Sequence, residues 1–109
     1  MTDLELTKLC AEAVGADVFE SEVPEYSGRL WIKVNDFMRK VHPYDPLHDD
    51  GQAMALVKKF HVWVGGWLND DMVSVSMDGK YLSAANTLNR AIVECVAKMT
   101  VANMQKAKP

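Results

Sequence analysis

The dipeptide Asp78-Gly79 stands between Met72-Val-Ser-Val-Ser-Met77 and Lys80-Tyr-Leu-Ser-Ala84, two short segments in which apolar and polar residues alternate. Alternation sends successive side chains to opposite faces of a strand, and Asp-Gly suits the positive φ angles of a two-residue type I′ turn. The pattern predicts a β-hairpin with Met77 opposite Lys80, Val75 opposite Leu82 and Val73 opposite Ala84. That register gathers Val73, Val75 and Leu82 on a buried face. It leaves Ser74, Ser76, Tyr81 and Ser83 on a more polar one.

Helical signals lie on both sides of this hairpin. Thr2 and Glu5 have capping-box spacing, and Leu6, Leu9, Cys10 and Ala13 follow as one apolar stripe up to Gly15. A first helix is expected over residues 3–14. Ala53, Leu56, Val57 and Phe60 repeat the spacing over residues 50–60, with Lys58 and Lys59 in the last turn, where the helix dipole favours cations. A last helix is expected from Asn86 as N-cap, with Leu88, Ile92, Cys95, Val96, Met99 and Ala102 on one stripe and a basic tail at residues 106–109.

Between them, Leu30, Ile32 and Val34 alternate with Trp31 and Lys33, which reads as a strand. One helical turn is expected near Phe37, Met38 and Val41, stopped by Pro43. Residues 61–67, His-Val-Trp-Val-Gly-Gly-Trp, have strand composition, and Leu68-Asn-Asp-Asp71 has that of a turn. Residues 16–29 carry loop signals at Pro24, Ser27 and Gly28 and little else. The expected class is α+β: an antiparallel sheet of three to four strands, a β-meander, packed by three helices. A three-layer α/β/α sandwich is the expected stacking, which would leave Trp63 partly covered. The 109 residues contain no repeat or linker, so a single domain over 1–109 is expected.

Twelve Lys and Arg against fifteen Asp and Glu give a formal charge of −3. Such a balance lacks the basic face by which duplex nucleic acid is bound, so no such partner is expected. No apolar run reaches the roughly 20 residues that span a bilayer, and Asp3 and Glu5 stand where a secretory leader would be basic and then apolar. A cytoplasmic protein with no membrane partner is expected. Cys10 and Cys95 both fall within apolar helical patterns and read as buried thiols rather than a disulfide.

The most chemical-looking stretch is His42-Pro-Tyr-Asp-Pro-Leu-His-Asp-Asp50. A metal site wants three or four converging ligands, yet these histidines are six apart across two prolines. Turn and cap chemistry accounts for each residue. Asp45-Pro46 opens a turn, and Asp49 and Asp50 cap and charge the start of the next helix. His61 reads as a strand residue. Gly65-Gly66 lacks the strand-loop-helix context of a phosphate cradle and reads as a bulge or bend. Ser74, Ser76 and Ser83 lie in no nucleophile-elbow pattern. No catalytic residue, cofactor or metal is assigned.

Trp31, Trp63 and Trp67 are the stronger candidates, because indole is enriched both in cores and at interface hot spots. The candidate interaction surface is Trp31, Trp63 and Trp67, together with Asn69, Asp70 and Asp71 in the loop beside Trp67. An aromatic rimmed by carboxylates suits a basic protein surface.

The segments "YDPLHDDGQAMALVKKF" (44–60) and "LNRAIVECVAKM" (88–99), with the opening "MTDLELTKLCAEAVG", resemble small proteins of tailed bacteriophages and prophages. In these, an aromatic-x-Pro-Leu-x-(Asp/Asn)-Asp turn leads into a helix, and a terminal helix contains Asn-Arg-Ala-Ile. The chain resembles the phage ABA-sandwich group over about half of its length, and Asp17–Val41 departs most. The resemblance implies helix-sheet-helix layering and brings no catalytic residues with it. Small phage accessory proteins often bind host proteins, antiviral defence components among them.

The leading expectation is therefore a phage-encoded, non-enzymatic accessory protein that binds and modulates or inhibits a host or defence protein. The alternative is a module that binds or sequesters a signalling nucleotide, with Lys33, Arg39, Lys40 and His42 around Trp31. A metal-dependent enzyme on His42, His48 and Asp49 stands last. A homodimer through a strand edge or the last helix is compatible with the pattern.

Overall fold

The computed structural model describes residues 1–16, 18–20, 30–35, 40–69, 72–77 and 79–106, with the backbone alone at 32–35 and 40–42. In chain order the elements are α1 (Asp3–Val14), β1 (Val18–Glu20), β2 (Leu30–Asn35), β3 (Lys40–Tyr44), α2 (Asp50–Phe60), β4 (Trp63–Asn69), β5 (Met72–Met77), β6 (Tyr81–Ala85) and α3 (Leu88–Lys106). The class is α+β. Among the described residues six strands form two antiparallel three-stranded sheets, ordered β1-β2-β3 and β4-β5-β6, where one sheet was expected.

The helix starts follow local hydrogen-bond chemistry. Thr2 Oγ1 accepts the Glu5 amide at 3.1 Å, and Gly15 ends α1 in the left-handed region at φ 70°. Asp49 Oδ1 accepts the Gln52 amide at 2.9 Å to start α2, which His61 ends at φ 54°. The third cap lies one residue beyond the expected Asn86: Thr87 Oγ1 accepts the Arg90 amide at 3.2 Å.

Three other expectations are corrected. Val41, expected in a helical turn, lies in strand β3, which carries Pro43 on an edge strand, where proline is tolerated, and Phe37 and Met38 of that expected turn lie outside the described residues. Asn69 ends a strand instead of lying in a turn. Most consequential is the hairpin register. Lys80 N–H bonds to Met77 O at 3.0 Å, but the ladder pairs Met77 with Tyr81, Val75 with Ser83 and Val73 with Ala85. A slip of one residue exchanges the faces of a strand. Met77, Ser83 and Ala85 therefore join Val73 and Val75 on the buried face, and Leu82, expected inside, is 64% exposed.

The helix α3 packs against β5 and β6 on one side and against α1 and α2 on the other. Its buried residues accordingly run around much of its circumference: Ala91, Ile92, Val93, Cys95, Val96, Ala97 and Thr100. The single expected stripe is too narrow for a helix with neighbours on several sides. Cys10 and Cys95 are both free and buried, and their thiols donate to Val93 O and Tyr81 O. In the first sheet, Leu30 and Tyr44 pair across the ladder and are buried, and β2 touches α1. No helix of the described residues is long and apolar enough to cross a membrane.

Candidate interaction surface

The strand β4 is the edge of the second sheet, and six of its seven residues are exposed. Its sequence, Trp-Val-Gly-Gly-Trp-Leu-Asn, contains no charge. Trp63 is 72% exposed, Trp67 61% and Leu68 64%. Edge strands of folded proteins usually carry a charge or are covered, so an apolar open edge marks a surface suited to association.

The two glycines determine how the indoles are displayed. Trp63 pairs with Ser76 and Val64 with Val75, but then Gly66 pairs with Ser74 and Trp67 with Val73. Gly65 is the extra residue of a bulge, as the Gly-Gly pair predicted, and the ladder shifts again between Trp67 and Asn69. Without the bulge, Trp63 and Trp67, four apart, would share a face. With it, Trp63 shares a face with Ser76 and Leu82, away from α3, and Trp67 shares the opposite face with Val73. Gly66 has φ 99°, outside the range open to most residues. Among the described residues nothing covers more than a small part of Trp63, so the partial cover expected of a three-layer stack is not seen there.

The two edges of this sheet are unlike. On β6, Lys98 Nζ donates to Leu82 O at 2.6 Å and Cys95 Sγ to Tyr81 O at 3.2 Å, so α3 occupies carbonyls of that strand. Burial pushes the Cys95 thiol above its ordinary pKa, which keeps it a neutral donor. On β4, by contrast, six of the seven residues are exposed.

The remaining sequence-predicted residues are dispersed. Trp31 lies in the first sheet, half-buried, paired with Phe19 and Pro43 rather than beside the other two indoles. Asn69 ends β4 and is exposed. Asp70 and Asp71, Arg39, and the side chains of Lys33, Lys40 and His42 lie outside the described residues. Val64, Met72 and Leu82 complete the exposed apolar surface and were missed, because their exposure depends on register and on which strand is the edge.

The acidic stretch before α2 lines a groove of about 780 Å³ with Asp3, Leu4, Leu30 and Tyr44. Its polar groups serve the local fold. Gln52 Oε1 accepts the Asp45 amide at 2.6 Å, and Gln52 Nε2 donates to Pro43 O at 2.9 Å. His48 Nδ1 lies 2.8 Å from Asp45 Oδ2, and Asp50 Oδ1 accepts from Asn89 Nδ2 at 2.8 Å. Asp3 is bonded by Arg90 at 2.9 Å. Among the described residues no three His, Cys, Asp or Glu side chains converge as a metal site.

Compared with family models, curated proteins and solved structures, the chain matches none of them.

Proposed function

We propose that the protein is a non-enzymatic phage accessory factor that binds a host or antiviral-defence protein and modulates or inhibits it in the host cytoplasm. The observation that carries this reading is the open β4 edge, with Trp63 and Trp67 exposed on a strand that has no charge. Desolvated tryptophans supply much of the binding energy at protein interfaces. The resemblance of residues 44–60 and 88–99 to small phage proteins supports the host-directed role.

The test compares tagged wild-type protein with the Trp63→Ser/Trp67→Ser variant in host lysate, after both are shown folded by circular dichroism. The expected result is one host protein retained at one-to-one stoichiometry by the wild type and lost by the variant. Equal retention by both, or no stoichiometric partner, removes the proposal.

A further inference from the structure

We infer that the β4 edge is also where two copies of this chain pair, so that self-association covers the strand a host protein would use. This rests on the reading of β4 as the docking strand and adds its regulation: pairing and partner binding exclude each other.

Three observations select a second copy as the occupant. The first is the contrast between the edges. Lys98 occupies the Leu82 carbonyl of β6, whereas six of the seven residues of β4 are exposed and none is Lys, Arg, Asp or Glu. A chain of net charge −3 that meets itself through an uncharged strand brings no like charges together there.

The second is self-complementarity. An isologous pair repeats each contact across a two-fold axis. With two β4 strands antiparallel about Gly66, Trp67 of each copy comes to lie across from the other copy's Gly65, where no side chain competes for space. An aromatic set over an edge glycine is a favourable cross-strand arrangement. Because the bulge at Gly65 turns Trp63 and Trp67 to opposite faces, the incoming strand meets an indole on each side.

The third is area. At up to about 250 Å² per tryptophan, the two indoles expose roughly 300 Å². A two-fold pair covering them with Val64, Leu68 and Met72 would bury on the order of 1,200 Å², enough for a specific, modest interface.

Sedimentation equilibrium of the whole protein, from micromolar to near-millimolar concentration, decides the matter. The expected result is a monomer–dimer equilibrium with tryptophan emission moving to the blue as dimer forms. Leu68→Lys places a charge at an exposed residue outside the ladder register and should raise the dissociation constant at least tenfold. Trp67→Ser should do the same, and Met54→Lys, on the exposed face of α2, should leave it unchanged.

A wild-type monomer throughout, or a dimer indifferent to both β4 variants, overturns the inference. A monomer that still captures a host protein through Trp63 and Trp67 removes pairing and keeps the docking reading. A β4-dependent dimer without any host partner supports pairing and removes the docking reading.

Discussion

Gly65 lies so close to Ser74 that a Cβ added to it would stand 2.7 Å from Ser74 Oγ. Its neighbour Gly66 faces open space, but at φ 99° it has a backbone conformation closed to most other residues. The two glycines of β4 are thus required for different reasons, one by a side chain across the ladder and one by its own backbone.

That difference is measurable. Gly65→Ala should cost about 1 kcal/mol, the order of forcing Ser74 off its preferred rotamer. Removing the serine hydroxyl in Gly65→Ala/Ser74→Ala should return most of this. Gly66→Ala should cost about 1–3 kcal/mol for backbone strain, and Ser74→Ala should not restore it. Urea denaturation of the four variants and Ser74→Ala completes both cycles. Equal rescue of the two glycine variants would contradict the assignment.

Ser83 presents a second case in the same sheet. It is buried against α3, and its Oγ has no hydrogen-bond partner among the described residues. An unpaired buried hydroxyl opposes folding by about 1–3 kcal/mol, and alanine has nearly the same shape without it. Ser83→Ala should therefore raise the melting temperature by several degrees, given roughly 4 °C per kcal/mol at this size. A fall in melting temperature would show that the hydroxyl is paired.

Burial pushes the Cys10 thiol up from 9.0 to about 12, and Tyr44 is raised in the same direction by burial first and by Cys10 second. Raised folded-state values mean that both groups stay protonated in the fold while the unfolded chain ionises. Their stabilising contribution is complete below pH 9 and is lost as pH rises from there toward 12. Unfolding free energy should fall by up to about 1.4 kcal/mol per pH unit per group in that window, and Cys10→Ala should flatten the slope. An identical slope in wild type and Cys10→Ala would show that the thiol does not titrate this way. Alkylation of Cys10 in the native protein should be slow for the same reason.

Much of the helical structure was legible in the sequence. The bounds of α1 and α2 follow from Thr2, Gly15, Asp49 and from stripes four residues apart, all local signals. Strand pairing is not local, and there the reading failed. Asp78-Gly79 marked the hairpin, but one extra residue at Lys80 exchanged Leu82 for Ser83 on the inner face. In the first sheet β2 was legible from Leu30, Ile32 and Val34, but its two partners were not, since β1 has three residues and β3 contains a proline. Gly65-Gly66 was legible as a bulge, and Trp63 and Trp67 as candidates. What the sequence could not carry was that β4 is an edge and Trp31 belongs elsewhere, because both depend on the order of strands.

The central place of α3 has a kinetic consequence. Arg90 bonds to Asp3 and Cys10 to Val93, contacts that span more than eighty positions of chain. As the chain is made, most of the apolar stripe of α1 and the inner face of β5 and β6 must wait for residues 88–106 to be covered. Closing so long a loop slows the search for the native state and prolongs the time during which apolar surface is open to aggregation or to chaperones. Synthesis of the last helix, rather than of the sheets, is then the event that commits this chain to its fold.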